Sequence, residues 1–124
     1  MFILKSWLWL ERLAIPPFEN LGDEAAPGWA GVALGGTANE ASGLASATLA
    51  GAYNEAIGLD SLVGAGMGQS ASGTYAAILG GQENQTNQDW AVVVGGLRNY
   101  AGGYWSVVLG GWGEGTSEGA VVVP

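Results

Sequence analysis

The sequence contains neither cysteine nor histidine among its 124 residues. These absences exclude a thiol nucleophile, a serine–histidine triad and the usual ligands of zinc, copper or haem. No disulfide can form, so cysteine usage does not indicate a redox compartment. We therefore expect a protein that is not an enzyme and that uses no cofactor or metal.

Positive charge is also scarce. The chain has 3 Lys and Arg residues against 11 Asp and Glu residues, a formal net charge of −8. Nucleic-acid binding needs clustered Lys and Arg, and an anionic membrane surface repels such a chain. We interpret the scattered acidic residues as a solubilising surface rather than a site. The length suits one domain, and nucleic acid is excluded as a partner.

Glycine, in contrast, is abundant, with 23 residues, and it recurs periodically. From Gly28 the chain divides into 15-residue lines without insertion: GWAGVALGGTANEAS (28–42), GLASATLAGAYNEAI (43–57), GLDSLVGAGMGQSAS (58–72), GTYAAILGGQENQTN (73–87), QDWAVVVGGLRNYAG (88–102) and GYWSVVLGGWGEGTS (103–117). The ninth position is always glycine: Gly36, Gly51, Gly66, Gly81, Gly96 and Gly111. The twelfth is polar: Asn39, Asn54, Gln69, Asn84, Asn99 and Glu114. Because the fourteenth is always Ala or Thr as well, independent columns agree on one repeat.

Each line predicts two short strands and two corners. Positions three to seven are apolar or small, as in 90–94 and 105–109, a length that suits a strand. Glycine at positions eight and nine suits a tight corner. Positions eleven to fourteen predict a more polar second strand, and a second corner follows near positions fifteen and one. Six turns stacked about 4.8 Å apart form an all-β parallel solenoid, or β-roll, about 30 Å long.

Stacking of the turns places like residues above one another. The position-nine glycines are expected to form a column of corners, and the position-twelve residues a polar ladder with hydrogen bonds running up and down. Tyr75, Trp90 and Trp105 share position three and predict an aromatic stack over three turns. We interpret this stack first as packed side chains, with a binding platform for a sugar as the alternative.

Three apolar runs indicate a partner. Residues 92–94, 107–109 and 121–123 are uninterrupted Val or Leu, although a strand with one wet face should alternate apolar and polar residues. A continuous apolar run indicates burial on both faces of the strand. One face can cover the narrow interior of the roll, and a homo-oligomer around an axis parallel to the rod would cover the other.

The repeat resembles the YadA-like head repeats of trimeric autotransporter adhesins, which also occur in phage tail fibres. The resemblance covers 28–124 and is clearest at 106–111, Ser-Val-Val-Leu-Gly-Gly, and at 77–84, Ala-Ile-Leu-Gly-Gly-Gln-Glu-Asn. It implies a left-handed roll that forms a homotrimer outside the cytoplasm, at the cell surface, with a head that binds a host surface protein or glycan. The third turn departs from the pattern, with Gly64-Ala65-Gly66, and we find no coiled-coil stalk or membrane anchor. A head fragment, a short fibre component or a stand-alone module is therefore expected.

The two ends do not follow the repeat. Residues 1–27 form a separate segment. Its apolar stretch, 1–15, is too short and too charged to span a bilayer and predicts a short helix that Pro16-Pro17 would stop. We interpret it as a cap over the first turn, with an anchor into another virion or surface protein as the alternative. The partial seventh line, EGAVVVP, places Pro124 at position seven.

Several functions compete for this roll. The first is a non-enzymatic adhesive or structural module with multivalent surface contact. The alternative is a phage tail-fibre or virion structural protein, which the Met1 start and the segment 1–27 suit somewhat better. An ice-binding solenoid would need a threonine column, which the turns lack. A calcium nonapeptide repeat is disfavoured at 110–115, because the period is fifteen and Gly115 stands where Asp is needed.

Overall fold

A computed structural model describes residues 29–123, and this part of the chain is an all-β parallel solenoid without helix. Thirteen strands of two residues alternate between two sheets. The first sheet contains β1 (Val32–Ala33), β3 (Ala47–Thr48), β5 (Leu62–Val63), β7 (Ala77–Ile78), β9 (Val92–Val93), β11 (Val107–Val108) and β13 (Val121–Val122). The second contains β2 (Glu40–Ala41), β4 (Glu55–Ala56), β6 (Ser70–Ala71), β8 (Gln85–Thr86), β10 (Tyr100–Ala101) and β12 (Gly115–Thr116). The predicted fold class is confirmed, and the segment 1–27 with its expected helix lies outside the described residues.

The register of the sheets follows the sequence repeat. Each strand pairs in parallel with the strand one turn away, so that Val92 lies beside Val107 and Gln85 beside Tyr100, both 15 residues apart. Parallel pairing at this offset requires each 15-residue line to complete one coil of the rod. The predicted turn length is therefore confirmed over the six lines.

The seventh turn is shorter than predicted. Val107 pairs with Val121, an offset of 14 residues. Ala120 N–H donates to the Ser117 carbonyl at 3.1 Å, and Ser106 N–H makes the equivalent bond to the Gly103 carbonyl in the preceding turn. Ser117 therefore occupies position one, and the residue that is missing is the one at position fifteen, in the corner. Val123 thus follows the strand at position seven, and the prediction that Pro124 occupies this position is wrong.

A third line of contacts runs along the roll, where two strands per turn were expected. Residues at position ten form single parallel bridges from turn to turn: Thr37, Ala52, Met67, Gln82, Leu97 and Trp112. Together with the bonds at the opposite corner, where the position-three N–H donates to the position-two carbonyl of the preceding coil, each coil is therefore held to the next by four sets of backbone hydrogen bonds. The third set lies just after the glycine corner, which turns the chain from the first sheet towards the second.

The interior is narrow and is filled by four columns. Positions four, six, twelve and fourteen are buried along most of the rod. Position six supplies the larger apolar side chains, among them Val63, Ile78, Val93 and Val108, and position fourteen supplies mainly alanine. Because the fourth column is alanine, glycine or serine and the twelfth is amide, the two sheets approach closely over a core that contains few large side chains.

Candidate binding surfaces of the roll

The position-twelve amides are internal and bond to backbone rather than to one another. Asn84 accepts a hydrogen bond on Oδ1 from the Asn99 N–H at 2.8 Å, while its Nδ2 donates to the carbonyls of Gly80 at 3.1 Å and Gly96 at 3.0 Å. Asn39, Asn54 and Asn99 repeat this set of three bonds. Gln69 makes two of them, to the Asn84 N–H and to the Ala65 carbonyl. The polar ladder therefore joins successive coils at the glycine corner and presents nothing to a ligand.

The glycine corners explain why the amides fit. The position-nine glycines have φ between 94° and 115°, where a side chain is strained. A methyl group on Gly81 would lie 2.6 Å from Asn84 Nδ2 and would overlap the Gly96 carbonyl oxygen, whereas a methyl on Gly80 would meet nothing within 4 Å. Each of these glycines thus sits directly beside the next along the axis and leaves room for one buried amide.

A few buried hydroxyls have no such partner. Thr48, Ser61, Thr86 and Thr116 each bury a side-chain oxygen for which the described part of the chain supplies no hydrogen-bond partner. Thr48 stands at position six, where later turns carry Val or Ile, and Thr86 stands at position fourteen, where most turns carry Ala. The three threonines are replacements within apolar columns, whereas Ser61 shares position four with Ser46 and Ser106. Their positions inside the roll make all four hydroxyls unsuited to binding.

The outward face of the first sheet is apolar and open. Its members share positions five and seven: Val32, Leu34, Ala47, Leu49, Leu62, Gly64, Ala77, Leu79, Val92, Val94, Val107, Leu109, Val121 and Val123. We call this set the apolar face. It contains no charged or polar side chain, and most of its position-seven residues are substantially exposed, with Leu79 at 50 %. The continuous apolar runs of the sequence therefore have one face in the roll interior and one face in contact with solvent.

The outward face of the second sheet is mainly polar, with Ile57 as an exposed apolar exception. Glu40, Glu55 and Gln85 are exposed at position thirteen, and Tyr100 accepts a hydrogen bond on its hydroxyl oxygen from Asn87 Nδ2. The two sheets thus present surfaces of opposite character to solvent, although they enclose the same core. Such a difference identifies the first sheet as the side that gains from being covered.

The predicted aromatic column is present as a geometric stack. Ring centroids of Tyr75 and Trp90 are 6.0 Å apart at an interplanar angle of 16°, and those of Trp90 and Trp105 are 5.4 Å apart at 10°. The rings are about half-exposed, with Trp90 at 44 % and Trp105 at 57 %. Their backbones have φ of 55–58°, a conformation that is unfavourable for bulky residues. The corner therefore holds the rings outward, beside the apolar face.

Tyr104 is a member of this surface that the sequence analysis did not include. Its ring lies 5.9 Å from Trp105 and is tilted by 47°. The residue at position two varies between apolar, hydroxyl-bearing, acidic and aromatic types, so the column itself gave no signal. Only its adjacency to Trp105 in the sequence could have indicated it.

Charged residues are few on the described surface, and most of them form no ion pair there. Arg98 Nε donates to Glu83 Oε2 at 2.6 Å between adjacent turns. Within residues 29–123, these two side chains form the one ion pair. The hydrogen bond from Arg98, followed by that from Gln82, lowers the pKa of the Glu83 carboxyl, and the same contact raises the pKa of Arg98. Both groups are exposed, so the pair is a surface feature that salt will screen.

Neither a metal site nor a membrane span is found within residues 29–123: no three acidic residues converge, and no helix could cross a bilayer. The predicted site residues are divided between the interior, where the glycines and amides lie, and the surface, where the aromatic column borders the apolar face.

Comparison of the chain with family models, with curated proteins and with solved structures finds no significant match.

Proposed function

We propose that this protein is a non-enzymatic structural and adhesive module: a homotrimer of β-rolls, joined through the apolar face, that presents its remaining surfaces to a host protein or glycan. The observation that carries the proposal is the open apolar face of the first sheet. The repeat's resemblance to YadA-like heads supplies the trimer number and the adhesive role. The localisation that goes with this role is extracellular, at a cell surface or, for a fibre component, in a virion.

The size of the apolar face supports self-association. Seven strands spaced about 4.8 Å apart, and the three residues from position five to position seven with a rise of about 3.3 Å, define a strip of roughly 29 Å by 7 Å. This flat projection is about 200 Å², and the side chains that stand out from it expose more area; contiguous apolar patches of a few hundred Å² are often functional on soluble proteins. A parallel homotrimer covers such strips symmetrically, because each subunit offers the same columns at the same height.

Self-association also makes weak binding sites useful. Three identical rolls present every outward residue in three copies, so that sites of low affinity act together on a repetitive surface. The polar face of the second sheet and the aromatic corner are the surfaces that remain available for this purpose.

Sedimentation velocity and equilibrium measurements test the proposal. The 12.5 kDa chain should sediment as a trimer. Leu79→Arg, on the apolar face, should dissociate it, because a charge buried at an interface has no partner there. Gln85→Arg, the matched control, adds the same charge to the outward side of the second sheet and should leave the trimer intact. A monomeric wild-type protein, or equal effects of the two substitutions, would refute the proposal.

A further inference from the structure

We propose that the upper end of the aromatic column is a binding site for a neutral saccharide, built from the open face of Trp105 and the tilted ring of Tyr104. The inference deepens the adhesive role proposed above and rests on it for its biological meaning. Its physical basis is separate, because it depends on the corner of the last turns rather than on the apolar face.

The stack ends where an aromatic residue is replaced by glycine. Trp90 N–H donates to the Thr74 carbonyl one turn below, and Gly119 N–H makes the equivalent bond to the Tyr104 carbonyl at 2.8 Å. Gly119, with φ of 66°, therefore occupies the corner position that Trp105 holds one turn earlier. The shortened seventh turn hides this equivalence in the sequence.

No further ring of the column follows Trp105 within the described part of the chain. Trp90 has a ring on each side, Tyr75 and Trp105, but the next residue of the column is Gly119. A methyl group on Gly119 would meet nothing within 4 Å. Trp105 thus has no stacking partner at the equivalent position of the following turn, and it is more exposed than Trp90, at 57 % against 44 %.

Tyr104 and Glu118 add polar groups to the same corner. The Tyr104 ring stands at 47° to Trp105, and so the two rings form an angled wall. Glu118, exposed in the same corner, lies one turn above Tyr104. A phenol can donate and accept a hydrogen bond, while a carboxylate accepts. Together they suit hydroxyl groups that surround a flat apolar patch.

A neutral pyranose has this combination of properties. One face of its ring carries C–H groups that pack against an indole, and its hydroxyls donate to a carboxylate and accept from a phenol. Anionic ligands are disfavoured by Glu118 and by a formal net charge of −8. The geometry therefore points to an uncharged sugar unit, presented by an oligosaccharide or polysaccharide.

Substitutions at Gly119 test the site without removing any contact. Gly119→Trp continues the stack, since Trp90 and Trp105 already adopt φ of 58° and 55° at this position, and it fills the space that the sugar needs. Gly119→Ala, the matched control, adds a methyl group that leaves the Trp105 face open. Trp105→Ala removes the platform, and Trp112→Ala removes a Trp that is 73 % exposed at a different corner.

Calorimetric titration with maltohexaose, cellohexaose, mannohexaose and chitohexaose supplies the readout. At least one should bind the wild-type protein, and Gly119→Trp and Trp105→Ala should weaken that binding about tenfold, the loss expected for one good aromatic stacking contact. Gly119→Ala and Trp112→Ala should stay within about twofold of wild type. Absence of binding to all four sugars, or equal behaviour of the two Gly119 variants, would overturn the site.

The same samples separate this inference from the proposed function. Sedimentation reports the oligomeric state, which none of the four substitutions should change. A monomer that binds the sugar through Trp105 would keep the site and reject the trimer. A trimer that binds none of the sugars would keep the trimer and reject the site.

Discussion

The substitution Gly81→Ala isolates the corner on which the stacking of coils depends. The new methyl group would lie 2.6 Å from Asn84 Nδ2 and would overlap the Gly96 carbonyl oxygen in the next coil. The backbone φ of 98° is itself unfavourable for alanine, by about 1–2 kcal/mol. Relief of the overlap must displace the Asn84 amide, which puts its bonds to the Gly80 and Gly96 carbonyls at risk, each worth about 1 kcal/mol. The expected loss of stability is about 3–4 kcal/mol.

Gly80→Ala is the matched control, one residue away in the same corner. Its methyl group would meet nothing within 4 Å, and other turns carry Ala50 and Ala65 at this position. Replacement of glycine where alanine fits is neutral or stabilising by about 0.4–1 kcal/mol, because the unfolded chain loses freedom.

Thermal unfolding followed by far-UV circular dichroism measures the difference between the two variants. For a domain of this size, about 3 kcal/mol lowers Tm by roughly 12–24 °C. Both variants must be compared at one protomer concentration, because association raises Tm by mass action. Equal Tm values for Gly80→Ala and Gly81→Ala would refute the reasoning that axial contact at position nine requires glycine.

Three further predictions concern the interior and the surface ion pair. Thr48→Val should raise the free energy of unfolding by about 1 kcal/mol in urea titrations, because a methyl group replaces a buried hydroxyl without a partner among residues 29–123; a loss of stability would contradict this. Asn84→Ala should lower the free energy of unfolding by about 3 kcal/mol or more, since three hydrogen bonds are lost and their backbone partners stay buried. Asn84→Gln should be tolerated better, because Gln69 occupies the same position one turn earlier. The opposite order of stability would argue against the amide ladder. Arg98 holds the pKa of Glu83 below its usual value in the folded state, so the pair adds stability above the ordinary carboxyl pKa and loses it as pH falls through the lowered one; Glu83→Gln should remove this part of the pH dependence of Tm at low salt, and an unchanged profile would count against the pair.

The roll could be predicted from the sequence because two positions of each turn accept few residue types. Only glycine tolerates a φ near 100° beside the next coil, and an amide at position twelve fits the space that this glycine leaves. These two columns fix the turn length, and parallel pairing at 15 residues follows. The amide ladder was expected to bond up and down between side chains; it bonds to backbone instead, since the corner carbonyls and the N–H of the next coil lie within hydrogen-bond distance of each amide.

Other features left no chemical trace in the sequence. The bridges at position ten involve residues as different as Thr37, Met67 and Trp112, since a single backbone contact does not select a side chain. The backbone at position three is left-handed, but residues as different as Ala45, Asp60 and Trp90 occupy it. Because none of them is glycine or asparagine, the residue type did not indicate a corner. The one-residue shortening near Ser117 falls in the same corner and shifted the predicted frame of the last turn.

The candidate surfaces were predictable only in part. Runs such as 92–94 require two apolar faces, and their outward half is open in the structure. The aromatic stack was also foreseen from its shared position. The end of that stack was not, because it depends on Gly119 lying above Trp105, and this placement follows from the shortened turn alone.

Oxidative cross-linking of engineered cysteine pairs tests the central claim most directly, since the chain has no cysteine of its own. Glu55→Cys with Ser70→Cys places the two thiols on adjacent coils in register, about 4.8 Å apart along the sheet, within the Cα range of about 4.4–6.8 Å that a disulfide spans. Glu40→Cys with Ser70→Cys separates them by two coils, about 9.6 Å, which is too far. The account predicts rapid intramolecular disulfide formation in the first pair, seen by mass spectrometry as the loss of two hydrogens, and none in the second. Equal cross-linking of both pairs, or cross-linking of the second alone, would contradict the assignment of one coil to each 15-residue line.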